Sequence, residues 1–255
     1  MTSRYSASLN GTSLSSISNK ILITDISYAQ AKPKFSTYNV ANRQGARVFR
    51  KYFEKASVTI KFVIREYSIS GRMEICNNVQ KWAKNGGVLT TGDRSNQQLR
   101  CVCSAFPSIT SSMKWTEELS ISFESYALPF WESTSATSVT LTAGVSGSGS
   151  LTPAGVIDGA MVEVEATANA ALSSLALTVN GKTLTLSGLT VASGSKVKIT
   201  YDENMIQSIK VGNTSVLDKR TGVDDLIAKC GEANTVSYTA DASCTVKFSA
   251  KGLFA

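Results

Sequence analysis

The chain has 255 residues, 42% of them hydrophobic and 18% charged, so it can bury a core and does not have the composition of a disordered protein. By length it holds one large domain or two ordinary ones. It contains no histidine, which excludes Ser-His-Asp and Cys-His nucleophile systems, every His-containing zinc site and the usual near-neutral general base. No run approaches the roughly 18 apolar residues of a membrane span. The opening Met1-Thr2-Ser3-Arg4-Tyr5-Ser6 lacks the apolar core of a secretory signal.

Charge divides unevenly along the chain. From Met1 to Glu132, Lys and Arg outnumber Asp and Glu by 17 to 9, a net of +8; from Ser133 to Ala255 the count is 9 to 10, a net of −1. The densest basic run is Arg43, Arg47, Arg50, Lys51 and Lys55, interleaved with Phe49, Tyr52 and Phe53. Cations between aromatics can hold a nucleic-acid backbone and stack bases. The same pattern also describes an amphipathic segment whose aromatics enter the core while its cations stay wet.

Ser57 to Glu66 alternates, with Val58, Ile60, Phe62 and Ile64 on one face and Thr59, Lys61 and Arg65 on the other, and reads as a half-buried strand. A helix follows, with Ser70 as N-cap, a stripe of Ile75, Val79 and Trp82 flanked by Cys76 and Ala83, and a stop at Gly86-Gly87. It is the single helix the sequence predicts. Leu89 to Phe106 reads as two strands joined at Gly92-Asp93-Arg94-Ser95. Trp115 to Tyr126 alternates again, with Leu119, Ile121 and Phe123 in phase. The first half is therefore an α+β arrangement of several strands and one helix.

After Trp131 the composition changes. Six of the eight tyrosines, most of the phenylalanines and all three tryptophans lie at or before that residue. Ser133 to Ser138 is a run of small polar residues that reads as a linker, giving domains of 1–132 and 133–255. The glycine-serine run Gly144 to Ser150 reads as flexible chain. Beyond it, Met161 to Ala166 alternates, and Leu175 to Leu186 carries Asn180-Gly181 between alternating flanks, the strongest short hairpin signal. Strands are expected at Lys196–Tyr201, Ser208–Val211, Thr235–Tyr238 and Thr245–Ala250. Turn signals every 8–12 residues point to a β-sandwich.

No glycine-rich phosphate loop, calcium loop or facing carboxylate pair is present. No catalytic, cofactor-binding or metal-binding residue is therefore assigned, and the chain reads as a non-enzyme. Five cysteines cannot all pair within one chain. They do not form a zinc-ribbon spacing and fit reduced, partly buried thiols, while a Cys230–Cys244 disulfide stays open.

Three features in order carry a family resemblance: the strand Val58 to Arg65 followed by the helix ending at Gly86-Gly87; Leu89-Thr90-Thr91-Gly92-Asp93-Arg94 entering a hairpin; and the closing Ser122 to Trp131. In this order they resemble the siphophage distal tail protein family, the baseplate hub or Dit proteins. Asn180-Gly181, Lys196 to Tyr201 and Gly231-Glu232-Ala233-Asn234 resemble that family's C-terminal galectin-like sandwich, whereas the ending Lys251 to Ala255 departs from it. The resemblance implies a mainly β protein. Its N-terminal part would be a ring-forming α+β domain, a sheet or split barrel with one helix, followed by a galectin-like β-sandwich.

The implied role is structural, at the tip of a long non-contractile tail. The implied partners are five further copies in a homohexamer, the tail tube protein, and tail-associated or baseplate proteins. DNA would transit a channel without specific binding, and the basic cluster would face that channel or a partner. The implied location is the virion, after synthesis in the host cytoplasm. Two alternatives are a carbohydrate-binding adhesin module and a tail-tube protein with an added sandwich.

Overall fold

Four apolar side chains on alternate positions organise the first sheet. Val58, Ile60, Phe62 and Ile64 are all essentially without solvent contact, and each such burial contributes on the order of 1.5–3 kcal/mol. The structure, a computed structural model, describes residues 5–39, 46–110, 114 and 116–255, with the side chains of 37–51 outside the described part. By contacts the chain divides into two compact units, Met1–Trp131 with Ala255, and Glu132–Phe254. The protein is mainly β.

The first unit opens with β1 (Ala7–Leu9), β2 (Thr12–Ser13), the short helix α1 (Leu14–Ile17) and β3 (Ile21–Ala29). Next come β4 (Pro33–Asn39), β5 (Ala46–Phe53), β6 (Ser57–Ile64) and the helix α2 (Ile69–Ala83). It closes with β7 (Gly87–Thr91), β8 (Gln97–Ala105) and β9 (Leu119–Ser125). The strand order in its main sheet is β2-β1-β7-β8-β9-β6-β3. β6 and β9 pair antiparallel with Val58 opposite Phe123, Ile60 opposite Ile121 and Phe62 opposite Leu119, so the apolar residues of both strands share one face. A 3₁₀ turn at Gly92–Arg94 joins β7 to β8, as the sequence expects.

The expected helix starts earlier than Ser70. Ser68 is the N-cap, its hydroxyl accepting from the Gly71 N–H, and Ile69 opens the first turn. Its buried stripe is Arg72, Cys76, Val79 and Ala83, with Ile75 and Trp82 only half-buried at its margin. Trp82 meets Phe123 edge-on and donates its indole N–H to Thr12 O at 3.0 Å, so the helix lies over the apolar face of the sheet. The helix stops after Lys84, where Gly86 takes a φ of +64°. The four-residue α1 is a second helix, capped by Ser13, that the pattern did not predict.

β10 (Trp131–Ser133) begins on the last residue of the first unit, and the second unit continues with β11 (Thr137–Leu151), β12 (Ala160–Ala168), β13 (Leu172–Val179) and β14 (Lys182–Val191). They are followed by β15 (Lys196–Tyr201), β16 (Gln207–Val211), β17 (Thr214–Ser215) and β18 (Arg220–Gly222). Last come β19 (Ile227–Ala228), β20 (Asn234–Ala250) and β21 (Leu253–Phe254). Asn180 and Gly181, at φ +50° and +77°, make the tight turn between β13 and β14 and place Val179 opposite Lys182.

Two expectations are corrected here. Gly144–Ser150 is not flexible chain but the middle of the 15-residue strand β11. The two strands expected at 235–238 and 245–250 are one 17-residue strand, β20. β20 pairs with β13 through its first half and β12 through its second, with β11 running along its other edge throughout. The core side chains Val164, Leu177, Ile199, Val236, Tyr238, Val246 and Phe248 line its inner face. All five cysteines are free thiols, which answers the question left open for Cys230 and Cys244. Among the described residues no helix is long and apolar enough to cross a membrane.

Candidate assembly surface

Among the described residues β4 and β5 pair with each other and with no other strand, forming a two-stranded arm of the first unit. At about 3.3 Å per residue, strands of seven and eight residues reach roughly 23–26 Å. Such a ribbon presents two unpaired backbone edges, and an isolated two-stranded ribbon is marginal in water. Its extension calls for support at the root and a covering surface beyond it.

The root is well held. Phe53 packs edge-to-face on Phe130 with ring centroids 4.9 Å apart, and Phe130 is buried. Glu54 N–H donates to Lys32 O at 2.9 Å, and the Lys34 ammonium pairs with the Glu54 carboxylate. Beyond the arm, Lys55 Nζ sits 3.3 Å from Glu124 Oε2. Ala56 is fixed by reciprocal bonds with Ser125, its N–H to the Ser125 hydroxyl and the Ser125 N–H to its carbonyl, both at 2.9 Å. Farther out, Phe35 and Tyr52 are large side chains about half exposed.

A second constellation braces the sheet nearby. Tyr28 Oη lies 2.5 and 2.7 Å from the two Asp93 oxygens and 2.9 Å from Thr91 Oγ1. The Arg94 guanidinium stands 4.9 Å from the ring centroids of both Tyr28 and Trp131, which themselves meet edge-on. Burial pushes the Tyr28 hydroxyl far above its ordinary range, reinforced by its bond to Asp93. Burial also pushes the Asp93 carboxyl up, but the Tyr28 and Thr91 hydroxyls and the Arg94 charge outweigh it and hold the group below the usual carboxylate range. Every member is occupied by another, so this is a strut rather than a reaction site.

The basic cluster read from sequence is split by the fold. Arg43 lies outside the described residues. Arg47, Arg50 and Lys51 sit on β5, opposite Tyr38, Ser36 and Phe35 respectively, and their side chains lie outside the described part. Lys55 is off the arm and committed to Glu124. Sequence reasoning missed the arm as a unit, along with Phe35 and the Phe53–Phe130 anchor. The available signals were Pro33 and Phe35 opening one extended run, the Ala46–Phe53 run, and the turn-type residues Asn42 and Gly45 between them. Among the described residues no group of His, Cys, Asp or Glu has a metal-holding arrangement.

No family model and no curated protein matches the sequence. Solved structures do match the fold. The SPP1 Dit protein, described as a paradigm of the hub adsorption apparatus in phages infecting Gram-positive bacteria, aligns over 97% of this chain and 98% of its own. The TM-score is 0.71 at 10% identity. A chain of the phage P2 baseplate in its activated conformation with Ca aligns over 97% of both chains, with a TM-score of 0.52 and 10% identity. The class is thus a mainly β protein of two units whose first unit carries a two-stranded ribbon, β4–β5. Its fold is that of the phage distal tail hub proteins, of which SPP1 Dit is the example here.

Proposed function

We propose that the chain is a structural virion protein, the distal hub of a long non-contractile phage tail. The observation that carries this reading is the end-to-end fold match to SPP1 Dit, which includes both units rather than one common module. The first units of six copies would close into a ring, with the β4–β5 arm laid against a neighbouring copy. A ring covers strand edges that a monomer leaves open. One face would join the tail tube protein and the other the tail-associated or baseplate proteins, leaving a channel for DNA. In this reading the galectin-like second unit projects from the ring, and no step requires an enzyme.

The net +8 of Met1 to Glu132 suits either a channel wall that contacts DNA weakly or a docking face for acidic partners. The carbohydrate-adhesin alternative gains no support from the second unit's aromatics. Tyr238 and Phe248 are core residues, and Tyr201 and Phe254 are half-buried. Negative-stain microscopy of the purified protein separates the readings: closed six-fold rings support the hub, long tubes a tail-tube protein, and monomers at high concentration neither. Glutamine at Arg43, Arg47 and Arg50 should leave rings intact and weaken DNA association at low salt. Intact rings that bind no DNA but fail to join tails would assign these residues to a protein interface.

A further inference from the structure

The outer face of the second unit carries a cross-strand row of cations. Strands β16, β15, β12, β20 and β11 lie side by side, and their register aligns Lys210, Lys198, Glu165, Lys247 and Thr140. Lys196 stands on the same face of β15, opposite Thr167. Glu165 is shared by two of these lysines, with Lys196 Nζ at 2.6 Å and Lys198 Nζ at 3.3 Å. Lys210 and Lys247 make no ion pair among the described residues. Glu163, two residues along β12, is the other carboxylate on this face.

Four of the nine cations beyond Ser133 are thus gathered against two acids, in a stretch, Ser133 to Ala255, whose net charge is −1. Lys198 and Lys210 are directly opposed on paired strands, an arrangement that costs stability by itself. The rest of the face is hydroxyl-bearing: Thr140, Thr167, Thr200, Ser208 and Ser249.

We propose that this face binds a flexible, linear phosphodiester polymer that carries no bases. The cations are all lysine, mobile point charges without the fork that reads a fixed carboxylate geometry. Folded protein interfaces are enriched in aromatics and arginine and depleted in lysine at their core, the reverse of this surface. Single-stranded nucleic-acid sites add aromatic platforms on which bases stack, and none of this unit's aromatics belongs to the row. A flat lattice of ammonium and hydroxyl groups matches a chain of repeating phosphates whose spacers need only be hydrated. The site belongs to the second unit alone and stands or falls independently of ring formation.

The test is a salt series of anisotropy titrations, using the full chain and a labelled poly(glycerol phosphate) oligomer. Three variants are compared: Lys210→Gln/Lys247→Gln; the charge-matched Lys182→Gln/Lys219→Gln, which leaves the row intact; and Lys210→Arg/Lys247→Arg. Background binding by the basic first unit is common to all three. Loss of two phosphate contacts, at about 0.7 each, should make the log–log salt slope shallower by about 1.4 and weaken low-salt binding at least about tenfold in the first variant only. The arginine variant should bind like the parent. Equal behaviour of the first two variants would overturn the site. Binding of an oligothymidylate of equal phosphate number more than about tenfold tighter than the polymer would overturn the assignment of ligand.

Discussion

Asn234, at the first position of β20, shows how one buried amide can organise several segments. Its Nδ2 donates to Leu151 O, Lys229 O and Glu232 O at 2.8–3.0 Å. Its Oδ1 accepts from Lys229 N–H at 2.8 Å and from Asn180 Nδ2 at 2.7 Å. It therefore ties the end of β11, the 229–232 loop and the β13–β14 turn to one point. Asn234→Ala would strand several of these groups at about 1–3 kcal/mol each, so a loss of at least about 3 kcal/mol is expected in denaturant unfolding. Asp93 gives a pH-dependent counterpart. Its carboxyl is depressed in the folded state, so its contribution is full above the ordinary aspartate range near pH 4. It is lost as pH falls through the lower folded value. Melting temperature measured from pH 5 down to 2.5 should fall less steeply in Asp93→Asn than in the parent. The sequence shows both residues but neither role, because their partners come from segments up to 83 positions away.

Elements were legible where a single period held throughout. β6 alternates without a break and β15 keeps its predicted bounds, while Asn180-Gly181 fixes its hairpin through backbone conformation. β3 was not legible, because an irregularity between Ile23 and Asp25 moves the buried positions from Ile21 and Ile23 to Ile26 and breaks the alternation. β11 was misread for a different reason. A Cβ on Gly147 would lie 2.8 Å from the Tyr238 ring, and one on Gly149 would lie 2.7 Å from the Leu141 side chain. The glycines that look like linker composition are strand positions whose inward space is filled by neighbouring large side chains. In α2 the observed stripe ranks three substitutions. Val79→Ala should cost about 1–3 kcal/mol, and half-buried Trp82→Ala should cost a comparable amount through its Phe123 and Thr12 contacts. Exposed Lys84→Ala should cost less than about 0.5 kcal/mol. Equal thermal shifts for Val79 and Lys84 would contradict this face.

At the scale of the whole chain, the arm is the part of the candidate surface that sequence reading did not assemble. A charge count marks Arg47, Arg50 and Lys51 but cannot show that their strand pairs with β4 in a ribbon apart from the main sheet. If ring formation resides in the first unit, a fragment spanning Met1 to Glu132 should self-associate and the remainder should be monomeric. Light scattering of the two fragments checks this, and the opposite outcome would move assembly to the second unit. The β11–β20 ladder has a mechanical consequence of its own. Its register begins with Thr137 opposite Ala250, so the chain enters and leaves the long ladder of the second unit at the same end. Tension applied between those two points would open the ladder as a zipper, one rung at a time, rather than loading all its rungs together in shear. Pulled from its attachment, this unit should yield at low force and in small steps, a compliant tether at whichever structure it is anchored to.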